Sequence, residues 1–313
     1  MIPVLSIVVP VKDEEAAIAP FVERVKLALA SVDDPGSKSF EILFIDDGSN
    51  DSTLDEIRRA NAADPRVRAL SFSRNFGKEA ALSAGLDEAR GEAVVPMDVD
   101  LQDSPEALGD MLARWREGFE IVYGVRTDRE TDSLPKRLTA DLYYRAHNRL
   151  SNDKIPEHAG DFRLLDRKVV EVIRSMPERT RFMKGLFAWA GFRQTSVSYS
   201  RQPRQVGESK FSYWKLWTFA IDGITSASTV PLRVWSYVGG IVAFLALVYA
   251  LFVIFRTLIS GIEVPGYASL MVAILFLGGL QLLSLGILGE YVGRILTETK
   301  RRPLYVVREQ VGD

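Results

Sequence analysis

Two stretches, residues 234–255 and 267–289, each run for about twenty residues without a charged side chain, the length that crosses a hydrocarbon core. Lipid offers no partner to a bare peptide group, so such runs are confined to helices that satisfy their own backbone. The link between them, residues 256–266, is too short for a domain and predicts an antiparallel hairpin. Arg233 precedes the first run and Arg294, Lys300, Arg301 and Arg302 follow the second, against Arg256 alone in the link. By the positive-inside rule both flanks face the cytoplasm. Upstream, Phe211-Ser212-Tyr213-Trp214-Lys215-Leu216-Trp217 mixes aromatics with lysine, the composition of a helix lying on a membrane surface. The predicted layout is therefore a soluble domain over 1–210, interfacial helices over 211–233, a membrane segment over 234–290 with spans at about 234–257 and 267–289, and a cytoplasmic tail over 291–313. Gly278, Gly279, Ser284 and Gly286 on the second span permit close helix contacts, including contacts between subunits.

The 39 basic and 41 acidic residues leave a net charge of -2, which argues against a nucleic-acid binder. Cysteine is absent, so disulfides, thiolate metal sites and a cysteine nucleophile are excluded, and a reducing compartment fits. The apolar start, residues 2–11, lacks a preceding basic region and a small-residue cleavage site, and reads as a first core strand.

From there the chain repeats one unit. The run Leu5-Ser6-Ile7-Val8-Val9-Pro10 predicts a strand, and Asp13-Glu14-Glu15 opens a helix with acids in its first turn. Residues 40–45 are a second strand, closed by the polar loop Asp46-Asp47-Gly48-Ser49-Asn50-Asp51 and a helix from Ser52. Residues 67–72 and 77–89 repeat the pattern, and residues 93–97 form a fourth strand. Further helix and strand follow at 111–115 and 121–126, then a polar loop over 127–135, a basic, aromatic helix over 136–150 and a short strand at 161–165. Alternation at this spacing indicates βαβ units and a mainly parallel sheet, with ligands bound at the carboxyl ends of its strands.

The fourth strand ends in Met97-Asp98-Val99-Asp100-Leu101-Gln102-Asp103. Asp98 and Asp100, two apart on extended chain, send their carboxylates the same way. Hard oxygen donors in that number suit Mg²⁺ or Mn²⁺ arriving with a diphosphate, because these ions take few protein ligands and complete their shell from substrate. Asp103 is expected to cap the helix start at Ser104-Pro105-Glu106. His147 and His158 stand in no metal-ligand spacing.

Taken in order, Val8-Val9-Pro10 through Glu14, Asp46-Asp47-Gly48-Ser49, Arg74-Asn75-Phe76-Gly77-Lys78, Met97 through Asp103, Gly160-Asp161-Phe162-Arg163-Leu164 and Gly207-Glu208-Ser209-Lys210 resemble the successive motifs of the polyprenyl-phosphate glycosyltransferases. These are family 2 enzymes of the GT-A fold and the dolichol-phosphate mannosyltransferase type, and the bacterial bactoprenol glucosyltransferases are closest in layout. The resemblance spans nearly the whole chain. It implies a Rossmann-like α/β domain followed by the membrane hairpin, and inverting transfer of one sugar from a nucleotide diphosphate sugar, UDP-glucose favoured, to undecaprenyl phosphate for cell-envelope glycan modification. A divalent cofactor, Mg²⁺ or Mn²⁺, and a homo-oligomer, with a tetramer as one form, follow from it as well.

Carried over by position, the resemblance assigns Pro10, Glu14, Asp46, Asp47, Lys78 and Asp98 to the nucleotide sugar. It assigns Asp100 and Gln102, with Asp98 beside them, to the metal. Asp13, where the family usually has Asn, stays outside the site. Arg126, Arg137, Arg163, Arg201 and Lys210 are the candidates for the lipid phosphate, an anion that calls for arginine and lysine. Asp161 is the candidate base in the resemblance. A phosphate monoester is largely dianionic at neutral pH and needs little deprotonation, so a role in orienting Arg163 or the acceptor is the stronger expectation. Two other readings fit the same core: a processive polysaccharide synthase, against which stands the lack of a Gln-X-X-Arg-Trp motif, and a membrane scaffold without chemistry, against which stand the intact Asp98, Asp100 and Gln102.

Overall fold

The computed structural model describes residues 2–126, 160–179, 181–200, 230–260 and 266–312. The predicted loop at 127–135, the helix at 136–150 and the interfacial stretch at 211–229 lie outside these residues. The chain divides into two units, one comprising Met1–Trp217 with Arg302–Asp313 and the other Thr218–Arg301.

The first unit is built on one sheet. Its strands are β1 (Leu5–Val11), β2 (Phe40–Asp46), β3 (Val67–Phe72), β4 (Ala93–Pro96), β5 (Ile121–Arg126), β6 (Arg163–Asp166), β7 (Gln194–Tyr199) and β8 (Val307–Val311), in the order β7-β5-β6-β4-β1-β2-β3-β8. The helices are α1 (Glu15–Ala30), α2 (Thr53–Ala63), α3 (Lys78–Glu88), α4 (Ala107–Arg116), α5 (Arg167–Ser175) and α6 (Met183–Trp189). β4, β1, β2 and β3 run parallel, as predicted from the four repeats. Their residues are buried on both faces, which is why they are mostly apolar and show no alternation of apolar and polar positions, with the few polar residues among them, Ser6, Glu41, Asp46, Arg68 and Ser71, buried as well. Ile7, Val9, Phe44 and Phe21 pack on one side of the sheet, and Val8, Leu43, Leu82 and Val170 on the other.

The sheet is mixed toward one end. β6 runs antiparallel to both β4 and β5, so its amino end meets the carboxyl end of β4. The predicted strand at 161–165 starts two residues later than expected and leaves Asp161 in the loop ahead of it. At the other end, β8 pairs antiparallel with β3. Tyr305, just before it, stacks on Phe72 with ring centroids 5.0 Å apart and donates its hydroxyl to Asp87 at 3.1 Å.

In the second unit, α7 (Val230–Ser260) and α8 (Tyr267–Thr299) touch each other. They extend beyond the predicted spans and carry exposed large apolar side chains, Tyr237, Phe244, Leu282 and Ile295 among them. Among the described residues, Phe276–Thr299 is long and apolar enough to cross a membrane.

Candidate active site

The loops at the carboxyl ends of β1 and β2 lock onto each other. Asp13 takes a left-handed backbone at φ 53°, a conformation that Asp and Asn tolerate better than most residues. In that pose its N–H donates to Ser49 Oγ at 2.9 Å, and its Oδ1 accepts the Asn50 N–H at 2.8 Å. Lys12 Nζ donates to the Gly48 carbonyl at 2.6 Å and the Glu14 N–H to Thr53 Oγ1 at 2.9 Å. Gly48 itself has φ 67°, and a Cβ there would lie 2.6 Å from the Arg74 carbonyl carbon, so no side chain fits. Pro10 closes this corner, paired in register with Ile45. The loop leaves Asp13 a structural task.

Asp46 and Asp47 are both buried, and both brace the same edge. Asp46 accepts the Ser49 N–H at 2.9 Å and the Ser71 hydroxyl at 2.7 Å. Asp47 accepts the N–H groups of Phe76 at 2.6 Å and Gly77 at 2.9 Å, tying the Arg74-to-Lys78 loop to the end of β2. Burial raises the Asp47 pKa despite those two hydrogen bonds.

The centre of the edge is a chain of alternating charges. Lys78, the first residue of α3, places Nζ 2.7 Å from Asp98 Oδ1 and 3.0 Å from its Oδ2. The same Nζ lies 3.3 Å from Asp161 Oδ2, and Lys184 Nζ stands 3.8 Å from Asp161 Oδ1. Asp98 arrives from the end of β4 and Asp161 from the start of β6, which the antiparallel pairing brings side by side. Burial alone would raise the Asp161 pKa. Lys184, Lys78 and Arg163 outweigh it and hold the carboxylate below its usual range. Partial removal from water works to lower the Lys78 pKa even though the side chain keeps access to solvent, and Asp98 and Asp161 together drive it up instead. A carboxylate so stabilised in its charged form is a poor proton acceptor, which favours orientation over base catalysis for Asp161.

Lys184 and Glu79 belong to this site and were not visible in the sequence. Glu79 Oε2 accepts the Met183 N–H at 3.1 Å, and burial pushes its pKa up to about 7. Arg163 is almost fully buried. Its guanidinium donates to the Gly160 carbonyl at 2.6 Å and lies 4.3 Å over the Phe187 ring.

Beyond Asp98 the acidic stretch turns sharply. Leu101 adopts φ 55°, an unfavourable left-handed pose for a bulky residue, and Asp100 Oδ1 accepts the Gln102 N–H at 3.1 Å. Among the described residues no three Asp, Glu or His side chains gather into a ready cage for a metal. The oxygen donors of Asp98, Asp100 and Gln102 nevertheless sit half-exposed on one short turn, a set that fits a hard cation bringing phosphate oxygens of its own. Asp103 departs from expectation: Glu106 occupies the cap position of α4 without a side-chain bond, and Asp103 is buried, accepting the Tyr199 hydroxyl at 2.5 Å.

Of the residues expected to meet a lipid phosphate, Arg126 ends β5. Its side chain, and Arg137, Arg201 and Lys210 entirely, lie outside the described residues. So do His147 and His158.

Comparison with known proteins adds two family matches, Glycosyl transferase family 2 over residues 6–174 and GtrB C-terminal hairpin over residues 230–295. The chain is 51% identical to an uncharacterized glycosyltransferase of Synechocystis sp., over 98% of this chain and 96% of that protein. It is 49% identical to the prophage bactoprenol glucosyl transferase homolog of Escherichia coli, over 97% of this chain and 98% of the relative. The bactoprenol glucosyl transferase of Shigella phage SfV is also 49% identical, over 98% of each chain.

Proposed function

Because the chain belongs to glycosyl transferase family 2, we propose that it transfers a single glucosyl residue from UDP-glucose to a polyprenyl phosphate, with inversion at the sugar C1. The observation that carries this reading is near-half identity to bactoprenol glucosyl transferases over almost the full length, the apolar C-terminal region included. In the reaction an oxygen of the lipid phosphate attacks C1 as the bond from C1 to the diphosphate breaks, and the electron pair leaves with UDP.

In this reading the chain's own groups divide the tasks. The interlocked loops carrying Pro10, Glu14, Asp46 and Asp47 form the floor for the nucleotide, with Asp47 holding the Lys78 loop in place. Lys78 supplies positive charge where the diphosphate accumulates it in the opposite sense, beside Asp98 on the ribose side. Asp100 and Gln102, with Asp98, are the residues that would hold Mg²⁺ or Mn²⁺, and such an ion would neutralise the leaving group. Asp161 holds the acceptor side together as a fixed anion. Arg126, Arg137, Arg163, Arg201 and Lys210 are the cations from which the lipid-phosphate site is drawn, and the buried Arg163 serves it indirectly, through the loop at Gly160.

Connectivity supports a membrane hairpin. The chain leaves the first unit before α7 and rejoins its sheet as β8, so any crossing by α8 has to be matched by another, and α7 is the candidate. With the basic flanks on the cytoplasmic side, the catalytic domain and both ends face the cytoplasm. Small residues on α8 offer a surface for a homo-oligomer.

The test is transfer of labelled sugar from a panel of UDP- and GDP-sugars into undecaprenyl phosphate in detergent, with and without Mg²⁺ or Mn²⁺. The reading expects a metal-dependent, acid-labile lipid product from UDP-glucose, and Asp100→Ala slowing it at least a hundredfold, the scale of lost charge stabilisation at a leaving group. Label in polymer points instead to a processive synthase. Label in neither fraction, with folded protein, sinks the enzymatic reading of this acceptor.

A further inference from the structure

Asp161 is bracketed by two lysines from different elements, one on each carboxylate oxygen: Lys78 on Oδ2 and Lys184 on Oδ1. The two are not equivalent. Lys78 is shared with Asp98 and stands where the donor's diphosphate is expected, whereas Lys184 has its contact to Asp161 from α6, on the opposite side. The position of α6 is set by packing. Met183 and Phe187 are buried in the core, Phe187 lies under the Arg163 guanidinium, and Glu79 holds the Met183 N–H. Lys184 therefore sits on a braced turn, one residue from a buried anchor, with its partly exposed amine 3.8 Å from Asp161.

We propose that Lys184 is a positioning residue for the transfer reaction, acting through Asp161 to keep Lys78 aligned between Asp98 and the donor. The argument is one of shared partners. With Lys184 present, Asp161 has a lysine on each oxygen in addition to the more distant charge of Arg163, and leaves Lys78 close to Asp98. Without it, Asp161 keeps Lys78 as its nearer cation and draws that amine away from Asp98 and from the place of the diphosphate. Ionic contacts in a half-desolvated cluster are strong enough for such a redistribution, and displacement of a charged group by about 1 Å is enough to cost on the order of a hundredfold in rate. Glu79 enters as the brace behind Lys184, since it fixes the backbone from which the lysine projects. This inference rests on the proposed transfer reaction.

The experiment is a double-mutant cycle on the full-length protein in detergent, reading kcat and the KM for UDP-glucose. Lys184→Met is expected to lower kcat/KM by ten- to a hundredfold, and Lys184→Arg to restore most of it. In a Lys78→Met background, Lys184→Met is expected to add less than twofold, because the group it acts through is already gone. A purely structural lysine would lower the melting temperature and multiply its effect independently of Lys78. Wild-type rates in Lys184→Met, or full additivity with Lys78→Met, overturn the inference while wild-type transfer stands. Absence of transfer by the wild-type protein from any sugar nucleotide overturns the proposed reaction and this inference with it.

Discussion

Lys78 and Asp98 meet in a two-pronged contact, Nζ lying 2.7 Å from one carboxylate oxygen and 3.0 Å from the other. The pair joins the start of α3 to the end of β4, the two places where a parallel sheet collects its ligands. Both side chains are 44% exposed, so the contact contributes little to stability, at most about 1 kcal/mol.

Lys78→Met should therefore separate function from folding. Turnover is expected to fall about a hundredfold, the usual cost of one lost charge-stabilising donor, while the melting temperature moves by no more than about 3 °C. Initial rates and a thermal melt on the same preparation check both halves. A large drop in stability would assign Lys78 to the scaffold instead.

Glu79 makes stability depend on pH in an unusual direction for a carboxylate. Its pKa rises from 4.5 to about 7 on folding, so between those values the folded chain binds more protons than the unfolded one. Stability then falls as pH rises through that window, by up to about 3 kcal/mol. Glu79→Gln has no such proton to lose and keeps an oxygen for the Met183 N–H. Melts at pH 5, 6, 7 and 8 are expected to show a flatter profile for this variant and a higher melting temperature than wild type at pH 8. Parallel profiles would refute the assignment.

At the opposite end of the sheet, Glu41 is buried among polar partners that serve the fold alone. It accepts the Ser6 hydroxyl at 2.5 Å, the Arg90 N–H at 2.7 Å and the Arg68 guanidinium at 2.7 Å. Glu41→Ala strands the buried Arg68 charge and is expected to cost about 3–5 kcal/mol, more than replacing both partners by leucine. Specific activity of the folded fraction at low temperature should stay near wild type, since these residues lie at the amino ends of β1, β2 and β3. Loss of activity in parallel with unchanged melting would contradict the placement.

The parallel half of the sheet was legible because it obeys local rules. Residues 67–72 stand where the third repeat of the strand-helix unit calls for a strand, and they form β3 with the same ends. The acidic edge was legible because Asp98 and Asp100 follow a buried strand. β7 was not: its Gln, Thr and Ser residues are mostly exposed or half-buried and carry no apolar run. Asp103 was misread because the first turn of a helix is a good local reason for an aspartate, and nothing near it in sequence announces Tyr199. Lys184 and Glu79 escaped for the same reason. Each is an ordinary charge by its neighbours, and it acquires a role only when β6 runs antiparallel and α6 packs back toward α3.

The pairing of β8 with β3 also imposes an order of events during synthesis. The parallel strands emerge from the ribosome first, yet the last position in the sheet waits until α7 and α8 have been made. Until then β3 presents a row of unpaired peptide groups, the kind of margin on which nascent chains associate wrongly. Closure of the sheet therefore comes only after both long apolar helices have left the ribosome, so the catalytic domain is completed by the last residues of the chain and not by the segment that holds most of its strands.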